Sequence, residues 1–286
     1  MKIFHHNDLD GILSAAIILK KYPQAECYEM SYTTPFDWSL ITNPMEPVFM
    51  VDFGLQPFDN MIKLNSKCKL IWIDHHITAI SEYEKSGEHI EGLRKIDKAG
   101  CQCVYEYLYP NKYEPIVVTL LGAYDIYNKT HPYFTWDEWI VPFEYGMRKY
   151  KSPHDNIFEY LLRNVIDEKM SETIGSIISN GKEKLIDIKA NNKRICEKSA
   201  FVTEFEGLTF ICLNGVGGTM TFESVYDPKI HDGMLTFLFS KNIWLISMFT
   251  DKDIDLSILA KKMGGGGHKQ ACGFQCKQLP FNLPVE

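Results

Sequence analysis

No stretch of the sequence approaches ~20 consecutive apolar residues, so nothing in it reads as a membrane-spanning helix, and no membrane partner is expected. The eight cysteines (Cys27, Cys68, Cys101, Cys103, Cys196, Cys212, Cys272 and Cys276) include no CxxC pair, which removes the usual framework of a structural zinc site. The opening Met1-Lys2-Ile3-Phe4-His5-His6 turns polar too early for a signal peptide, so the expectation is a cytoplasmic protein with reduced thiols. Positive charge is also short: 30 Lys and Arg face 37 Asp and Glu, a net charge of -7. That balance argues against a surface built to grip long nucleic acid. A short anionic substrate stays open, because bound divalent cations would supply the local positive charge. There is no low-complexity tract and no internal repeat.

What is present is a globular composition, 45% hydrophobic and 23% charged over 286 residues, enough for two domains with proper cores. The first half alternates strand-like and helix-like patterns. Lys2 to His5 reads as a short strand, and Gly11 to Lys20 as a helix packed on it. Val48-Phe49-Met50-Val51 and Lys69-Leu70-Ile71-Trp72-Ile73 are continuous apolar runs, as expected of strands covered on both faces. Ala99 to Tyr109 and Pro115 to Tyr127 look helical, with Pro115 suited to a first turn. Such alternation predicts an α/β fold with a parallel sheet and crossover helices. Phe158 to Ile195 reads as a long charged helical connector, broken near Asn180-Gly181. Strand signals return at Thr209–Leu213, Leu235–Phe239 and Ile243–Met248, and Ile254 to Met263 reads as a helix. The aromatics of 130–155 (Tyr133, Trp136, Trp139, Tyr145) carry no motif; they can stack bases, although packing is the commoner use of large aromatics.

Four segments carry acidic or histidine side chains. His6, Asp8 and Asp10 alternate after the first strand, so in an extended loop all three face one side; an Asp-rich turn with a helix N-cap at Asp10 explains the same pattern. Asp52 ends a wholly apolar strand, where a lone carboxylate is costly to bury unless paired or metal-bound. It is the natural bridge between two cations, or else an exposed turn residue before Gly54. Asp74-His75-His76 puts three ionisable groups at the end of a buried strand, where they have little packing purpose. One imidazole can ligate a metal, the other can meet a substrate, and Asp74 can fix a ring orientation. Asp125, in an otherwise apolar helical pattern, is either a helix-end residue or a ligand. Far downstream, Gly264-Gly265-Gly266-Gly267-His268 joins a helix to a compact apolar segment. Glycines without Cβ let backbone N–H groups approach an anion, so a phosphate-recognition loop is expected, with His268 as a side-chain donor.

In this order the segments resemble the DHH/DHHA1 phosphoesterase superfamily: His6 to Gly11, Asp52, the eponymous Asp74-His75-His76, Asp125, and the terminal glycines with His268. Within it, the HNDLDG form and the closing GGGGHKQACGF are most similar to nanoRNase-type members, which degrade very short oligoribonucleotides. The resemblance implies three parts: a DHH catalytic domain over 1–155, a helical connector over 156–198, and a smaller α/β DHHA1 substrate-binding domain over 199–286. It also implies two divalent cations, manganese first with magnesium as the alternative. One would be held by His6, Asp8 and Asp52, the other by Asp10, Asp52, His75 and Asp125. His76, Gly265, Gly266, Gly267 and His268 would meet the substrate phosphate. Many relatives space the first histidine further from the first Asp, so His5 competes with His6. Many also have an arginine after the strand before the last helix; here the chain reads Ser247-Met248-Phe249-Thr250, and Lys241, Lys261, Lys262 and Lys269 are the candidate substitutes.

The implied activity is manganese-dependent hydrolysis of very short oligonucleotides to mononucleotides by two-metal activation of water. The alternatives are a phosphodiesterase for cyclic or linear dinucleotides, a nucleoside bisphosphate phosphatase, a pyrophosphatase or polyphosphatase, and a catalytically silent nucleotide-binding scaffold. The expected partners are a short oligonucleotide or dinucleotide and, at most, a second copy of the chain in a homodimer.

Overall fold

In the computed structural model the described residues are 1–163 and 167–283; residues 164–166 of the expected connector lie outside them. The chain divides into two compact units, Met1–Leu185 and Ile186–Glu286.

The first unit begins with β1 (Lys2–His6), α1 (Leu9–Lys21), β2 (Glu26–Met30), β3 (Pro47–Val51), α2 (Asp59–Asn65), β4 (Lys69–Ile73) and α3 (Ile77–Ser86). The strands form an all-parallel sheet in the order β2-β1-β3-β4. Side chains alternate across it, as the period of two requires. Ile3, Phe49, Val51 and Ile73 enter a core with α1, α4 (Gly100–Leu108), α5 (Ile116–Asp125), α6 (Val141–Met147) and α7 (Asn156–Leu161). Phe4, Val48, Met50, Leu70 and Trp72 enter a second core on the other face with Met61 and Leu64 of α2 and Ala79 of α3. Both faces are covered, which is why β3 and β4 read as unbroken apolar runs. β2 escaped the sequence reading because it is a half-exposed edge strand, Glu-Cys-Tyr-Glu-Met, without a continuous apolar signature.

The helix α8 (Glu168–Ser199) is continuous through Gly181, contrary to the expected break. The glycine serves close approach instead. A Cβ at Gly181 would fall on the backbone carbonyl of Pro142 in α6, and one at Gly146 of α6 would fall on the carbonyl of Ile177 in α8. Two glycines facing each other let two helix backbones touch, and the intrinsic cost of about 1 kcal/mol for a helical glycine is offset by that packing. In the 130–155 region, Tyr145 is buried, Trp136 stacks on Tyr124 at 5.6 Å, and Tyr133 is exposed, so packing and surface share these aromatics.

The second unit is a mixed sheet in the order β5-β6-β7-β8-β10-β9. Its strands are β5 (Phe201–Phe205), β6 (Leu208–Asn214), β7 (Gly233–Ser240), β8 (Ile243–Phe249), β9 (Gly266–Gly267) and β10 (Ala271–Cys276), with α9 (Leu256–Lys262) before β9. Among the described residues of this unit, only β6 and β7 pair in parallel. Lys241 and Asn242, both at positive φ, make the two-residue turn between β7 and β8, the backbone a type I′ hairpin demands. Among the described residues no helix is long and apolar enough to cross a membrane.

Candidate metal centre

The carboxyl ends of β1, β3 and β4 open on one place, the general location of ligand sites in open parallel sheets. At the end of β1 the helix starts sooner than an extended loop would allow. Asp8, not Asp10, is the N-cap: its Oδ1 accepts the Gly11 N–H at 2.9 Å. Gly11 is required there, since a Cβ would run into the backbone of His6. Asp10 therefore sits in the first turn of α1, buried, where its two oxygens accept the N–H groups of Gly100 (2.7 Å) and Cys101 (2.8 Å) at the start of α4. The two imidazoles of the first segment separate. His5 turns inward and its Nδ1 lies 2.8 Å from the His6 carbonyl. His6 reaches the site, with Nδ1 2.7 Å from Asp8 Oδ2 and 3.8 Å from Asp52 Oδ2.

Asp52 follows β3 at φ 52°, a left-handed conformation that non-glycine residues hold only under constraint. Its N–H donates to Ile73 O at 2.9 Å, and its side chain is 1% exposed, so it is not a surface turn residue. Gly100 makes room for it: a Cβ there would lie 2.7 Å from Asp52 Cβ and 2.9 Å from Asp10 Oδ2. After β4, Asp74 Oδ1 accepts the His75 N–H at 2.7 Å and lies 2.7 Å from His76 Nδ1, so Asp74 sets the orientation of the second ring. His75 Nε2 faces three carboxylates at once: Asp52 Oδ1 at 3.1 Å, Asp125 Oδ2 at 3.3 Å and Asp10 Oδ2 at 3.6 Å. Asp125 closes the set from the last residue of α5.

Within the first unit, three groups of potential ligand atoms fall within 4.8 Å: His6, Asp8 and Asp52; Asp10, Asp52 and His75; Asp52, Asp74 and His76. Asp52 belongs to all three. Among the described residues, every ion pair of these four aspartates and of Asp125 is to a histidine, and none is to a lysine or arginine. The electrostatics reflect that imbalance. Burial, then the charges of Asp10 and Asp8, push Asp52 well above the usual carboxylate range. Burial and Asp10 do the same to Asp125. One oxygen of each, Asp52 Oδ2 and Asp125 Oδ2, is buried without a hydrogen bond. Burial lowers His75, keeping its imidazole neutral as a ligand must be. For His76 burial also acts downward, but the charge and hydrogen bond of Asp74 prevail and raise it. A neutral imidazole and crowded, partly orphaned carboxylates fit divalent cations that prefer oxygen and nitrogen donors.

The glycine segment lies in the second unit, where its glycines carry a sharp reversal from α9 into β10. Gly264 sits at φ 79° past the end of α9, its N–H donating to Lys261 O and that of Gly265 to Ala260 O. A Cβ at Gly265 would strike β10, and the His268 N–H donates to Ala271 O at 2.8 Å. The Gly265 amide is thus engaged by the end of α9, and the His268 amide within the β9–β10 hairpin. Of the candidate lysines, Lys262 pairs with Glu206 at 2.5 Å and Lys269 with Asp253, both at the surface.

Sequence reasoning missed three residues at or beside the centre. Gly100 fell inside the expected Ala99 to Tyr109 helix without being singled out; it is the first residue of α4, after the N-cap Ala99. Glu144 of α6 is buried, pushed up to about 7 by burial, and pairs with Arg148. Tyr32, whose ring lies 4.5 Å from that of Phe53 and 5.8 Å from that of His6, had no motif at all.

Residues 1–124 match the model of the DHH family, N-terminal domain. No curated protein matches the sequence. Among solved structures, the chain is similar to the pGpG-specific phosphodiesterase PggH of Vibrio cholerae, at 13% identity and a TM-score of 0.47, covering 96% of this chain and 92% of that one. It is also similar to an exopolyphosphatase-related protein of Bacteroides fragilis, at 17% identity and a TM-score of 0.48, covering 97% and 87%. A third is RecJ of Thermus thermophilus in complex with Mn2+, at 14% identity and a TM-score of 0.46, covering 96% of this chain and 49% of that one.

Proposed function

Given that the chain belongs, through residues 1–124, to the DHH phosphoesterase superfamily, we propose that it is a divalent-cation-dependent phosphodiesterase that hydrolyses very short oligonucleotides to mononucleotides. The observation that carries the reading is the convergence of Asp10, Asp52 and Asp125 on His75 Nε2 within 3.6 Å, with no lysine or arginine paired to any of them among the described residues. Such a cluster is electrostatically incomplete without a cation.

His6, Asp8 and Asp52 would hold one cation and Asp10, Asp52, His75 and Asp125 a second, with manganese favoured by the mix of carboxylates and imidazoles. Bound there, such ions supply an acidified water and neutralise charge on the phosphate. The protein does the rest. The Gly100 and Cys101 amides fix Asp10, and the constrained backbone of Asp52 aims its carboxylate at both ligand groups. Asp74 orients His76, whose raised proton affinity suits it to donate to a phosphate oxygen. The net charge of -7 disfavours a long polyanion outside the metal centre, which supports the short substrate.

The test is a manganese-dependent assay on a panel: a dinucleotide, a five-mer, a long single strand, cyclic dinucleotides, a nucleoside bisphosphate and pyrophosphate. Turnover should be highest on the two short linear chains. A preference for the long strand, or for pyrophosphate, overturns the substrate claim. Asp52→Asn should abolish metal-dependent turnover while raising the thermal stability of the metal-free protein, because a carboxylate pushed upward by burial destabilises the fold once ionised. Wild-type turnover in that variant would refute its place between two cations.

A further inference from the structure

Beside the metal centre lies a cleft of about 470 Å³ that none of the roles above uses. That volume falls within the roughly 300–1,000 Å³ of small-molecule sites. Four aromatic residues, Tyr32, Phe36, Trp38 and Phe53, line it together with the hydroxyls of Ser31, Thr33 and Thr34. Two amides, Gln56 and Asn60, stand at its edge, and among the described residues its lining contains no Asp, Glu, Lys or Arg. The cleft adjoins the cluster directly. Phe53 follows Asp52 in the chain, and the rings of both Tyr32 and Phe53 lie within 6 Å of the His6 ring, at 5.8 and 5.9 Å. Tyr32 is 48% exposed, a large aromatic left half open at the mouth of a polar site.

We propose that this cleft is a nucleobase subsite: it takes the base of the nucleotide whose phosphate meets the carboxylate–imidazole cluster, with Tyr32 as the stacking platform. The chemistry selects the ligand. The one cation beside the lining, Lys63, is already seated over the Trp38 ring at 4.1 Å, which gives a phosphate chain little to bind, whereas a planar heteroaromatic ring finds the Tyr32 face to stack on and amide donors and acceptors for its edge. Asn60 Nδ2 already donates to Gln56 O at 3.1 Å, which leaves its carbonyl oxygen as an acceptor for an exocyclic amine. The inference rests on the phosphoesterase reading above and narrows it, since a diester bearing a base beside the scissile phosphate is preferred over pyrophosphate or polyphosphate.

The experiment compares calorimetric binding of adenosine 5′-monophosphate and ribose 5-phosphate to manganese-loaded protein. Wild type should bind the nucleotide at least about ten-fold more tightly, as one stacked base contributes. Tyr32→Ala should bring the ratio close to one with ribose 5-phosphate unchanged, and Tyr32→Phe should restore it. Asp52→Asn should weaken both ligands in parallel and leave the ratio intact. A ratio near one in wild type, or one that survives Tyr32→Ala, overturns the subsite. If manganese changes neither affinity and no diester is turned over, the phosphoesterase reading fails instead, and the nucleotide-to-sugar ratio still decides on the cleft.

Discussion

Gly100→Ala perturbs the proposed metal centre without removing a single ligand. The added methyl would sit 2.7 Å from Asp52 Cβ, 2.9 Å from Asp10 Oδ2 and 3.0 Å from Asp52 Oδ1. Carbon contacts are comfortable at about 3.5–4.0 Å, so Asp52 or α4 must retreat by about 1 Å. Overpacking on that scale costs about 1–3 kcal/mol of stability, and in a chain of this size each kcal/mol lowers Tm by about 2–4 °C. The effect on function should be larger. Asp52 is shared by all three ligand groups of the first unit, and a misplacement of about 1 Å can cost about 10²-fold in rate. If manganese affinity falls by the same factor, the stabilisation by saturating metal shrinks by about 2.7 kcal/mol. The assay is thermal unfolding with and without manganese, alongside dinucleotide turnover. A folded Gly100→Ala protein whose metal-induced Tm rise and turnover both match wild type would refute the claim that this glycine keeps the two carboxylates in register.

Two further outcomes follow from the same packing. Gly181→Ala should destabilise by about 3 kcal/mol or more, because its methyl lands on the Pro142 carbonyl, whereas Gly175→Ala in the same helix, with nothing within 4 Å, should stabilise by up to about 1 kcal/mol; equal Tm values for the two variants would contradict the backbone contact between α6 and α8. Glu144 has its folded pKa raised to about 7, so its contribution to stability falls as pH rises from its unfolded value near 4.5 and levels off above about 7. Glu144→Gln should remove that loss, so denaturant titrations of metal-free protein should show the variant gaining up to about 3 kcal/mol relative to wild type between pH 4.5 and 7.5; parallel pH profiles would refute it.

The legible part of the molecule is where one physical demand dominates. β3 and β4 are covered on both faces, and their sequences are unbroken apolar runs; β2 is an edge strand and reads as nothing. Asp74-His75-His76 stood out because ionisable groups at the end of such a run have no packing role. The helix boundary near Asp8 was harder, because Asp8 and Asp10 are both good capping residues. What settles the choice lies 90 residues away, where the Gly100 and Cys101 amides claim the Asp10 carboxylate. Gly181 failed in the opposite direction: a glycine in a helical pattern signals a break only when no other backbone needs the space.

The candidate ligands stand out in the sequence, while the groups that hold them do not. A carboxylate or an imidazole carries its chemistry in its own side chain, so its place at a strand end is informative even in isolation. Gly100 matters by what it lacks, and Tyr32 by what stands next to it, Phe53 at 4.5 Å and the His6 ring at 5.8 Å. Neither property exists until β1, β3 and α4 are assembled. Reaction type therefore follows from motif order, because the cations would do work that many folds can host. Substrate choice does not, because it depends on surfaces such as the Tyr32 cleft that are built from residues without chemistry of their own. Substitutions there should move the preference among phosphodiesters while leaving the metal requirement untouched.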